Sequence, residues 1–218
     1  MKKGTPLRLL VTAGPTREYL DDVRFVSNAS SGRMGCAVAK AALARGHEVV
    51  LVCGPLEVKP PACRVRRVVS TVDMLDACCE EFPSADAVIM AAAPADFKPS
   101  APFAGKISKD RETLTLELVR TPDILSELSQ RRAHQVVVGF ALEYRDVVGR
   151  ARQKLYSKGL DLIVANRPEA IGAKTATVHF LYPDGTDKAL ELQPTEDIAE
   201  HLMGIVERLA RERRRTLA

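Results

Sequence analysis

Short apolar runs alternate with stretches of helical periodicity along the first two-thirds of the chain. Continuous apolar runs of this length are typical of strands buried on both faces, and helices between such strands cover a parallel sheet. The pattern indicates an α/β, Rossmann-like doubly wound fold. Strands are predicted at 7–13, 48–54, 64–70 and 85–93, and helices at 31–45 and 71–82, the second helix capped by Thr71.

The pattern changes after residue 93. Residues 94–112 carry Pro, Gly and Lys without a period, which predicts a mobile active-site loop. Alternation at 113–119 predicts a strand with one exposed face. A helical pattern at 122–132 follows, with Pro122 in its first turn.

Two more buried-strand runs and an antiparallel pair complete the predicted sheet. The runs lie at 135–141 and 160–166, and they flank a helix at 145–159. Residues 177–192 predict a hairpin, and an amphipathic helix at 194–214 follows it. We therefore expect a mostly parallel sheet with a small antiparallel hairpin extension.

The length and composition fit one domain over residues 1–218. The 218 residues are 46% hydrophobic and 28% charged, which is typical of a globular domain rather than a disordered chain. No apolar stretch reaches about 18 residues and no signal-peptide pattern is present, so we expect a cytoplasmic protein with no membrane contact. The five cysteines include no C-x-x-C pair, which argues against a zinc site and a disulfide framework.

The net charge of +4 raises the question of nucleic-acid binding, because a basic C-terminal tail at 208–218 concentrates arginines. Cations at the end of a helix complement its dipole, and this is the interpretation we favour over polyanion binding. Aromatic residues make up only 5% of the chain and Trp is absent, so no stacking platform for bases is predicted.

A long connection follows the first predicted strand, where an open α/β sheet places its ligands. In "SNASSGRMG" (27–35), Ser30, Ser31 and Gly32 stand where the next helix starts. Their backbone N–H groups and hydroxyls can face a phosphate, because a helix N-terminus favours anions. The same residues also suit a helix cap and close packing, and both interpretations stay open from this segment alone.

The sequence disfavours a nicotinamide dinucleotide site. The fingerprint of such a site needs G-x-G-x-x-G after the first strand and an acidic residue at the end of the second. Here Pro15 follows Gly14, and the second strand ends in Cys53-Gly54-Pro55. An NAD(P)-binding oxidoreductase is therefore a minority alternative.

Six segments, taken in order, resemble one known family. They are "VTAGPTREYLDDVRFVSNASSGRMG", "AAAPADFKP", "GKISK", "LELVRTPDIL", "VGFALE" and "KGLDLIVAN". Together they are similar to the bacterial phosphopantothenoylcysteine synthetases of coenzyme A biosynthesis. That domain is usually fused behind a flavin-dependent decarboxylase. Here we expect a standalone domain, with a separate phosphopantothenoylcysteine decarboxylase as a candidate partner.

The resemblance implies a ligation in two steps. 4′-Phosphopantothenate attacks the α-phosphate of a nucleoside triphosphate, and the amine of cysteine then displaces the nucleotide from the acyl-nucleotidyl intermediate. The resemblance further implies CTP as the co-substrate, with ATP as an open alternative, and Mg²⁺ as the cofactor. It also implies a homodimer in which each active site borrows a loop from the partner.

The resemblance also implies roles for individual residues. Asn28 and Lys106 are the expected catalytic residues: Lys106 would offset the triphosphate charge, and Asn28 would hold phosphopantothenate or polarise the acyl carbonyl. Asp96 is a candidate ligand of the ribose or of Mg²⁺, and Arg17 and Arg24 are candidates for the substrate's own phosphate. The candidate nucleotide-binding residues are Gly14, Ser30, Ser31, Gly32, Ala92, Ala93, Asp96, Phe97, Lys106 and Phe140.

Three departures from the family pattern touch this expected site. They are Ala29, Pro94 and "FALEYRD", which stands where "FAAET" is more usual. They leave a noncatalytic nucleotide-binding relative as a third hypothesis. Individual residues also have structural alternatives, namely a solvated loop position for Lys106, a turn for Asn28 and core packing for Phe140.

Overall fold

One eight-stranded sheet forms the centre of the computed structural model, which describes residues 5–108, 110, 112–170, 173 and 175–217. The strands are β1 (Arg8–Ala13), β2 (Arg17–Tyr19), β3 (Phe25–Ser27), β4 (Glu48–Cys53), β5 (Arg64–Arg67), β6 (Ala87–Met90), β7 (Phe97–Pro99), β8 (Leu118–Arg120), β9 (Val136–Leu142), β10 (Leu162–Asn166), β11 (Thr175–Leu181) and β12 (Asp187–Pro194). The α-helices are α1 (Arg33–Ala44), α2 (Thr71–Glu81), α3 (Ile124–Gln130), α4 (Val147–Ser157) and α5 (Thr195–Leu217).

The central sheet has the strand order β12-β11-β10-β9-β6-β1-β4-β5. All pairs from β10 to β5 are parallel, whereas β11 and β12 pair antiparallel at one edge. The predicted Rossmann-like, mostly parallel sheet with a hairpin extension is therefore confirmed. The order of the chain reverses between β1 and β6, and ligands of open α/β sheets bind at such a reversal.

Two apolar cores lie on opposite faces of the sheet. Leu9 and Val11 of β1 belong to one core and Leu10 to the other, because successive side chains of a strand point to opposite faces. The packed helices α1 and α5 cover the first face, and α2, α3 and α4 cover the second. Each large apolar side chain buried in this way contributes roughly 1.5–3 kcal/mol.

Two helix starts differ slightly from the sequence prediction. Ser70, not Thr71, caps α2: its hydroxyl accepts from the Asp73 N–H over 3.1 Å, and the Asp73 carboxylate accepts from the Ser70 N–H over 2.8 Å. This reciprocal capping box satisfies donors that would otherwise be unpaired at the helix end. In α3, Asp123 is the cap, so Pro122 precedes the helix rather than lying in its first turn.

The predicted loop at 94–112 and strand at 113–119 are rearranged in the structure. Phe97–Pro99 form β7, which pairs antiparallel with Leu118–Arg120 of β8. The predicted strand at 113–119 is therefore wrong over 113–117, where alternation occurs without a neighbouring strand to pair with. Residues 109 and 111 lie outside the described residues, and the mobility of the loop stays a prediction.

The predicted basic tail forms the end of α5, and several of its arginines make ion pairs. Arg213 pairs with Asp161, and Arg214 pairs with Asp86 over 2.6 Å. Asp161 and Asp86 precede β10 and β6, so these pairs fasten α5 to the amino edge of the sheet, opposite the expected site. Across the described residues, no helix has the length and apolar content to pass through a bilayer.

Candidate active site

The loops that follow β1 and β6 meet at the carboxyl edge of the sheet. The Ala93 N–H donates to the carbonyl oxygen of Gly14 over 2.9 Å. The Ala92 N–H donates to Thr12 Oγ1 over 3.1 Å, so the hydroxyl of a β1 residue also supports this turn. Three predicted site residues, Gly14, Ala92 and Ala93, therefore lie together at the point where the strand order reverses.

Asn28 ties a third segment to this edge. Its Nδ2 donates to the carbonyl oxygens of Pro94 and Ala93, over 2.9 and 3.2 Å. Both amide hydrogens are thus committed to the loop after β6, and the group that the exposed side chain offers a ligand is the acceptor Oδ1. The expected role of Asn28 in polarising an acyl carbonyl would require one of these two bonds to open.

Two glycines bring the end of β1 against the start of α1. Gly14 and Gly32 have positive φ angles of 76° and 78°, which side-chain-bearing residues rarely adopt. A Cβ on Gly32 would lie 2.2 Å from Leu56 Cδ2, and one on Gly14 would lie 2.6 Å from the Pro55 carbonyl oxygen. A larger residue at either position would clash with the Pro55–Leu56 segment that follows β4.

The N-terminus of α1 is open toward this edge. Gly32 is the N-cap and supplies no side-chain hydrogen bond, and no acidic residue lies in the first turn. Ser31 Oγ accepts only a 3.4 Å contact from the Arg33 N–H, while Ser30 is partly exposed. The helix start therefore carries no protein anion in its first turn, and anion binding by Ser30, Ser31 and Gly32 stays a prediction.

A cleft of about 480 Å³ opens beside these loops, between the ends of β6 and β9, the β7–β8 pair and helices α3 and α4. Four of the predicted nucleotide-binding residues line it, namely Ala92, Asp96, Phe97 and Phe140. Asp96 and Phe97 are exposed, and Phe140 is half-buried. The cleft also has lining residues that sequence reasoning missed, namely Arg120, Asp123, Lys154 and Lys158.

The two missed lysines are held by carboxylates. Lys158 Nζ lies 2.7 Å from Asp123 Oδ2, and Lys154 Nζ lies 2.7 Å from Oε1 of the buried Glu143. Burial tends to raise the pKa of Asp123, but hydrogen bonds from Lys158 and from Ser126 outweigh it and lower the pKa. The four-residue spacing of Lys154, on α4, and Lys158, which caps its C-terminus, was the available signal, because residues so spaced share a helix face.

Lys106 lies at the far end of the β2–β3 hairpin from Asn28. The Ile107 N–H donates to Asp21 Oδ2 over 3.0 Å, and the Arg24 guanidinium donates to the Ile107 carbonyl oxygen over 3.3 Å. Arg24 is at the tip of the hairpin and Asn28 follows its base, so about 13 Å of extended chain separates them. Lys106 itself is exposed.

Asp21 is the centre of this attachment, and sequence reasoning missed it. Its carboxylate is 2% exposed. Burial would raise the pKa of Asp21, but hydrogen bonds from the backbone of Ile107, Arg24 and Val23 and from the Arg24 guanidinium lower it to about 2. An ionised carboxylate at this position therefore holds the segment that carries Lys106.

The two arginines predicted to bind the substrate phosphate both have protein partners. The Arg24 guanidinium lies 2.6 Å from Asp21 Oδ2. The Arg17 guanidinium stacks over the Phe25 ring, 4.3 Å from its centroid, and Arg17 pairs with Ser27 at the hairpin base. Arg17 is thus closer along the hairpin to Asn28 than Arg24 is, and phosphate binding by either residue stays a prediction.

Neither a dinucleotide site nor a metal cluster of protein ligands emerges. A Cβ on Gly54, at the end of β4, would lie 1.8 Å from the Pro15 carbonyl oxygen, so the loop after β1 fills the space where a dinucleotide fold holds its ribose. Among the described residues, no group of three or more His, Cys, Asp or Glu side chains could hold a metal ion. A single carboxylate such as that of Asp96 suits an ion that arrives bound to phosphates, since Mg²⁺ often takes only one or two carboxylate ligands from the protein.

Comparison with known proteins identifies one family to which the chain is similar along most of its length. The profile of the DNA/pantothenate metabolism flavoprotein C-terminal domain family matches residues 5–209. The bifunctional coenzyme A biosynthesis protein CoaBC of Bacillus subtilis is 40% identical over 210 residues, which cover 94% of this chain and 52% of that protein. The chain therefore spans about half the length of the curated relatives that it matches.

Solved structures agree with the sequence matches. The C-terminal domain of a CoaBC protein superposes with a TM-score of 0.81 at 35% identity, over 94% of this chain and 96% of that one. The DNA/pantothenate metabolism flavoprotein of Streptococcus pneumoniae superposes with a TM-score of 0.82 at 27% identity, over 92% and 98%.

Proposed function

The chain belongs to the DNA/pantothenate metabolism flavoprotein C-terminal domain family, and from this premise we propose that it is a phosphopantothenate–cysteine ligase of coenzyme A biosynthesis. The observation that carries the proposal is the meeting of Gly14, Asn28 and Ala93 at the strand-order reversal, beside the lysine-lined cleft. The identity to CoaBC proteins, half of whose length the chain spans, supports the same activity.

The chemistry needs charge neutralisation and positioning more than covalent help from the protein. A carboxylate oxygen of 4′-phosphopantothenate would attack the α-phosphorus of CTP and expel pyrophosphate. The amine of L-cysteine would then attack the acyl carbon, form the amide, release CMP and lose a proton. Both steps bring anionic groups together, so preorganised donors and cations lower the barrier.

The protein's own groups divide this work between two places. The α1 N-terminus with Ser30, Ser31 and Gly32 would bind phosphate oxygens, while Lys154 and Lys158, which line the cleft, would bind others. Ala92 and Ala93 leave room for the nucleotide against the backbone, and Phe97 and Phe140 would contact the base or ribose. Mg²⁺, when bound to the phosphates, would supply further neutralising charge, with Asp96 as its protein ligand.

Each lysine of the cleft can exchange one anionic partner for another. Lys158 is paired with Asp123 at the rim and Lys154 with the buried Glu143. A triphosphate would replace the exposed Asp123 contact at little cost, because half-exposed ion pairs are weak. Either CTP or ATP satisfies this charge pattern, and CTP is the co-substrate that we propose from the family resemblance.

A homodimer is the second part of the proposal. The β2–β3 hairpin exposes Tyr19, Val23 and Phe25 by 39, 57 and 39%, and Phe103 packs beside it with 38% exposed. Contiguous apolar patches of this kind on a soluble domain mark contact surfaces. A partner covering the hairpin could bring its Lys106 to the site that this chain builds at Asn28, as the family resemblance implies. A separate decarboxylase as a partner and a cytoplasmic location stay predictions.

A nucleotide panel tests the activity directly. The chain is incubated with 4′-phosphopantothenate, cysteine and Mg²⁺ and with CTP, ATP, GTP or UTP in turn, while pyrophosphate release and product mass are followed. We expect pyrophosphate and phosphopantothenoylcysteine with CTP, and no pyrophosphate when phosphopantothenate is omitted. If none of the four nucleotides gives pyrophosphate, the proposal is overturned. Nucleotide binding without turnover would instead identify a noncatalytic relative.

A further inference from the structure

Three buried polar side chains lie beneath the Ala95–Asp96 segment at the edge of the cleft. Thr16 and Thr71 are 0% exposed and Glu18 is 4% exposed. The Ala95 N–H donates to Thr16 Oγ1 over 2.9 Å, and Thr16 Oγ1 lies 2.9 Å from Thr71 Oγ1. Thr71 Oγ1 in turn lies 2.8 Å from Glu18 Oε1. One continuous chain of hydrogen bonds thus joins the backbone of the cleft to a buried carboxylate.

The groups at the two ends of this chain, together with the contact distances, assign a direction to each of its bonds. The Ala95 N–H can only donate, so it occupies Thr16 Oγ1 as a donor. The Glu18 carboxylate accepts, and it also accepts from the Thr71 N–H over 2.7 Å at the start of α2. The Thr71 hydroxyl has two acceptors within reach, Glu18 Oε1 at 2.8 Å and the Ala95 carbonyl oxygen at 3.3 Å. The shorter contact to the carboxylate takes its proton, which leaves the Thr16 hydroxyl to donate to Thr71. Each hydroxyl has one proton, and each proton is used once.

A second contact holds the other side of the same segment. Thr121 Oγ1 donates to the Ala95 carbonyl oxygen over 2.6 Å, and the Thr121 N–H donates to the Asp96 carbonyl oxygen over 3.0 Å. Hydrogen bonds from Thr121 thus hold the peptide groups before and after Asp96, while Thr16 holds the Ala95 N–H on the other side of the segment. Buried networks of this kind are rigid when every member is satisfied, and a buried donor left unpaired is costly.

We propose that Thr16 and Thr71, anchored by Glu18, are positioning residues that hold Asp96 in place for the nucleotide. The inference rests on the proposed function, because it assumes that the cleft binds a nucleoside triphosphate. The relay acts on nucleotide affinity through Ala95 and Asp96. It also touches the Asn28 side of the site, because the Ala95 N–H belongs to the peptide group whose Pro94 carbonyl oxygen accepts from Asn28, and we expect the smaller effect there. The two threonines therefore differ in the size of the effect that we expect. Loss of the Thr16 hydroxyl leaves the Ala95 N–H without its acceptor, whereas loss of the Thr71 hydroxyl leaves that bond in place.

The test compares Thr16→Val, Thr16→Ser and Thr71→Val in the full chain. The dissociation constant for CTP is measured by titration calorimetry, and the KM values for CTP and for phosphopantothenate are measured by pyrophosphate release. We expect Thr16→Val to raise the CTP dissociation constant and KM about tenfold, the effect of one buried hydrogen bond. Thr16→Ser should stay within about twofold of the unaltered chain, Thr71→Val should fall between them, and the KM for phosphopantothenate should rise less than the KM for CTP.

Thr177→Val is the matched control. Thr177 Oγ1 also accepts from a backbone N–H, that of Leu192 over 3.1 Å, but it lies in the edge hairpin. Because Thr177 is exposed and Thr16 is buried, Thr16→Val should lower the melting temperature more than Thr177→Val does. A folded Thr16→Val chain that binds CTP like the unaltered chain would overturn the inference. Nucleotide binding by the unaltered chain is measured first. If that chain binds no nucleotide, the proposed function is overturned as well.

Discussion

The Asp21 carboxylate accepts a 3.0 Å hydrogen bond from the backbone N–H of Ile107, the residue that follows Lys106. The same oxygen pairs with the Arg24 guanidinium over 2.6 Å. One buried carboxylate thus attaches the lysine segment to the tip of the β2–β3 hairpin. In the proposed ligase, the position of Lys106 depends on Asp21, although Asp21 has no contact with the cleft.

Replacing Asp21 with Asn tests this dependence. An amide has one neutral acceptor oxygen, so it cannot accept both from Ile107 and the Arg24 guanidinium, which bond to Oδ2, and from the Val23 and Arg24 N–H groups, which bond to Oδ1. We expect the rate of pyrophosphate release to fall by roughly tenfold, with the dissociation constant for CTP unchanged. Asp22→Asn is the control, because Asp22 is exposed and contributes only its backbone N–H to Gly105. Equal rates in the two variants would contradict the attachment.

The lowered pKa of Asp21 predicts a pH dependence of stability. A group whose pKa is lower in the folded chain stabilises the fold while it is ionised, so the contribution is complete above the model-peptide value of 3.8 and is lost as the pH falls toward about 2. The difference in free energy of unfolding between the unaltered chain and Asp21→Asn should therefore shrink between about pH 4 and pH 2. Urea titrations at pH 5, 3 and 2 measure it. A constant difference would show that Asp21 is not the titrating group.

Lys106→Ala should abolish turnover while the chain stays folded. Loss of a cation aimed at the developing charge on the α-phosphate costs on the order of 10²–10³ in rate, as for other preorganised electrostatic groups. The circular dichroism spectrum and the melting temperature should not change, because the Lys106 side chain is exposed. Normal turnover would show that Lys106 has no catalytic role.

Mixing two inactive chains tests whether the partner subunit supplies Lys106. Asn28→Asp provides the second chain, since a carboxylate cannot donate to the Ala93 and Pro94 carbonyls. If each site combines Asn28 of one subunit with Lys106 of the other, a mixed dimer contains one intact site, and activity returns on mixing with Lys106→Ala. If both residues belong to the same subunit, every site keeps one defect and no activity returns.

The arginine pairs at the end of α5 predict a stability effect distant from the active site. Asp161 is 13% exposed, pairs with Arg132 and Arg213, and accepts from the Val137 N–H. Asp161→Asn should lower the free energy of unfolding by about 1–3 kcal/mol, because partners of a partly buried charge are left unsatisfied. Arg211→Ala, which breaks an exposed pair within α5, should cost less than about 0.5 kcal/mol. Similar urea midpoints for both would contradict the assignment.

The parallel sheet was predictable because its strands are buried on both faces. A run such as "LRLLVTA" has few alternatives to a buried strand, and the predicted positions agree with β1, β4, β6, β9 and β10 to within a few residues. The β7–β8 pair was not predictable in the same way. Each of its strands is three residues long, and the pairing joins Phe97 to Arg120 across a long connection. Local patterns contain little information about such a contact.

The predicted site was incomplete for a related reason. Gly14 and Ala93 lie at the ends of predicted strands and Asn28 lies in a family motif. Their meeting at one sheet edge could therefore be expected from the fold. Lys154 and Lys158 lie on an amphipathic helix, where lysines usually face solvent. Only the packing of α4 beside β9 turns them toward the cleft. Arg24 shows the opposite case. We predicted from the sequence that its guanidinium binds a phosphate, but it pairs with Asp21, three residues away.

The packing of α1 against α5 has a consequence for synthesis on the ribosome. The two helices cover the same face of the sheet, but more than about 150 residues of chain separate them. While α5 is still inside the exit tunnel, the apolar side chains of α1 that it covers face water. A nascent chain of this protein would then expose an apolar surface that chaperones bind, until α5 emerges and packs against α1.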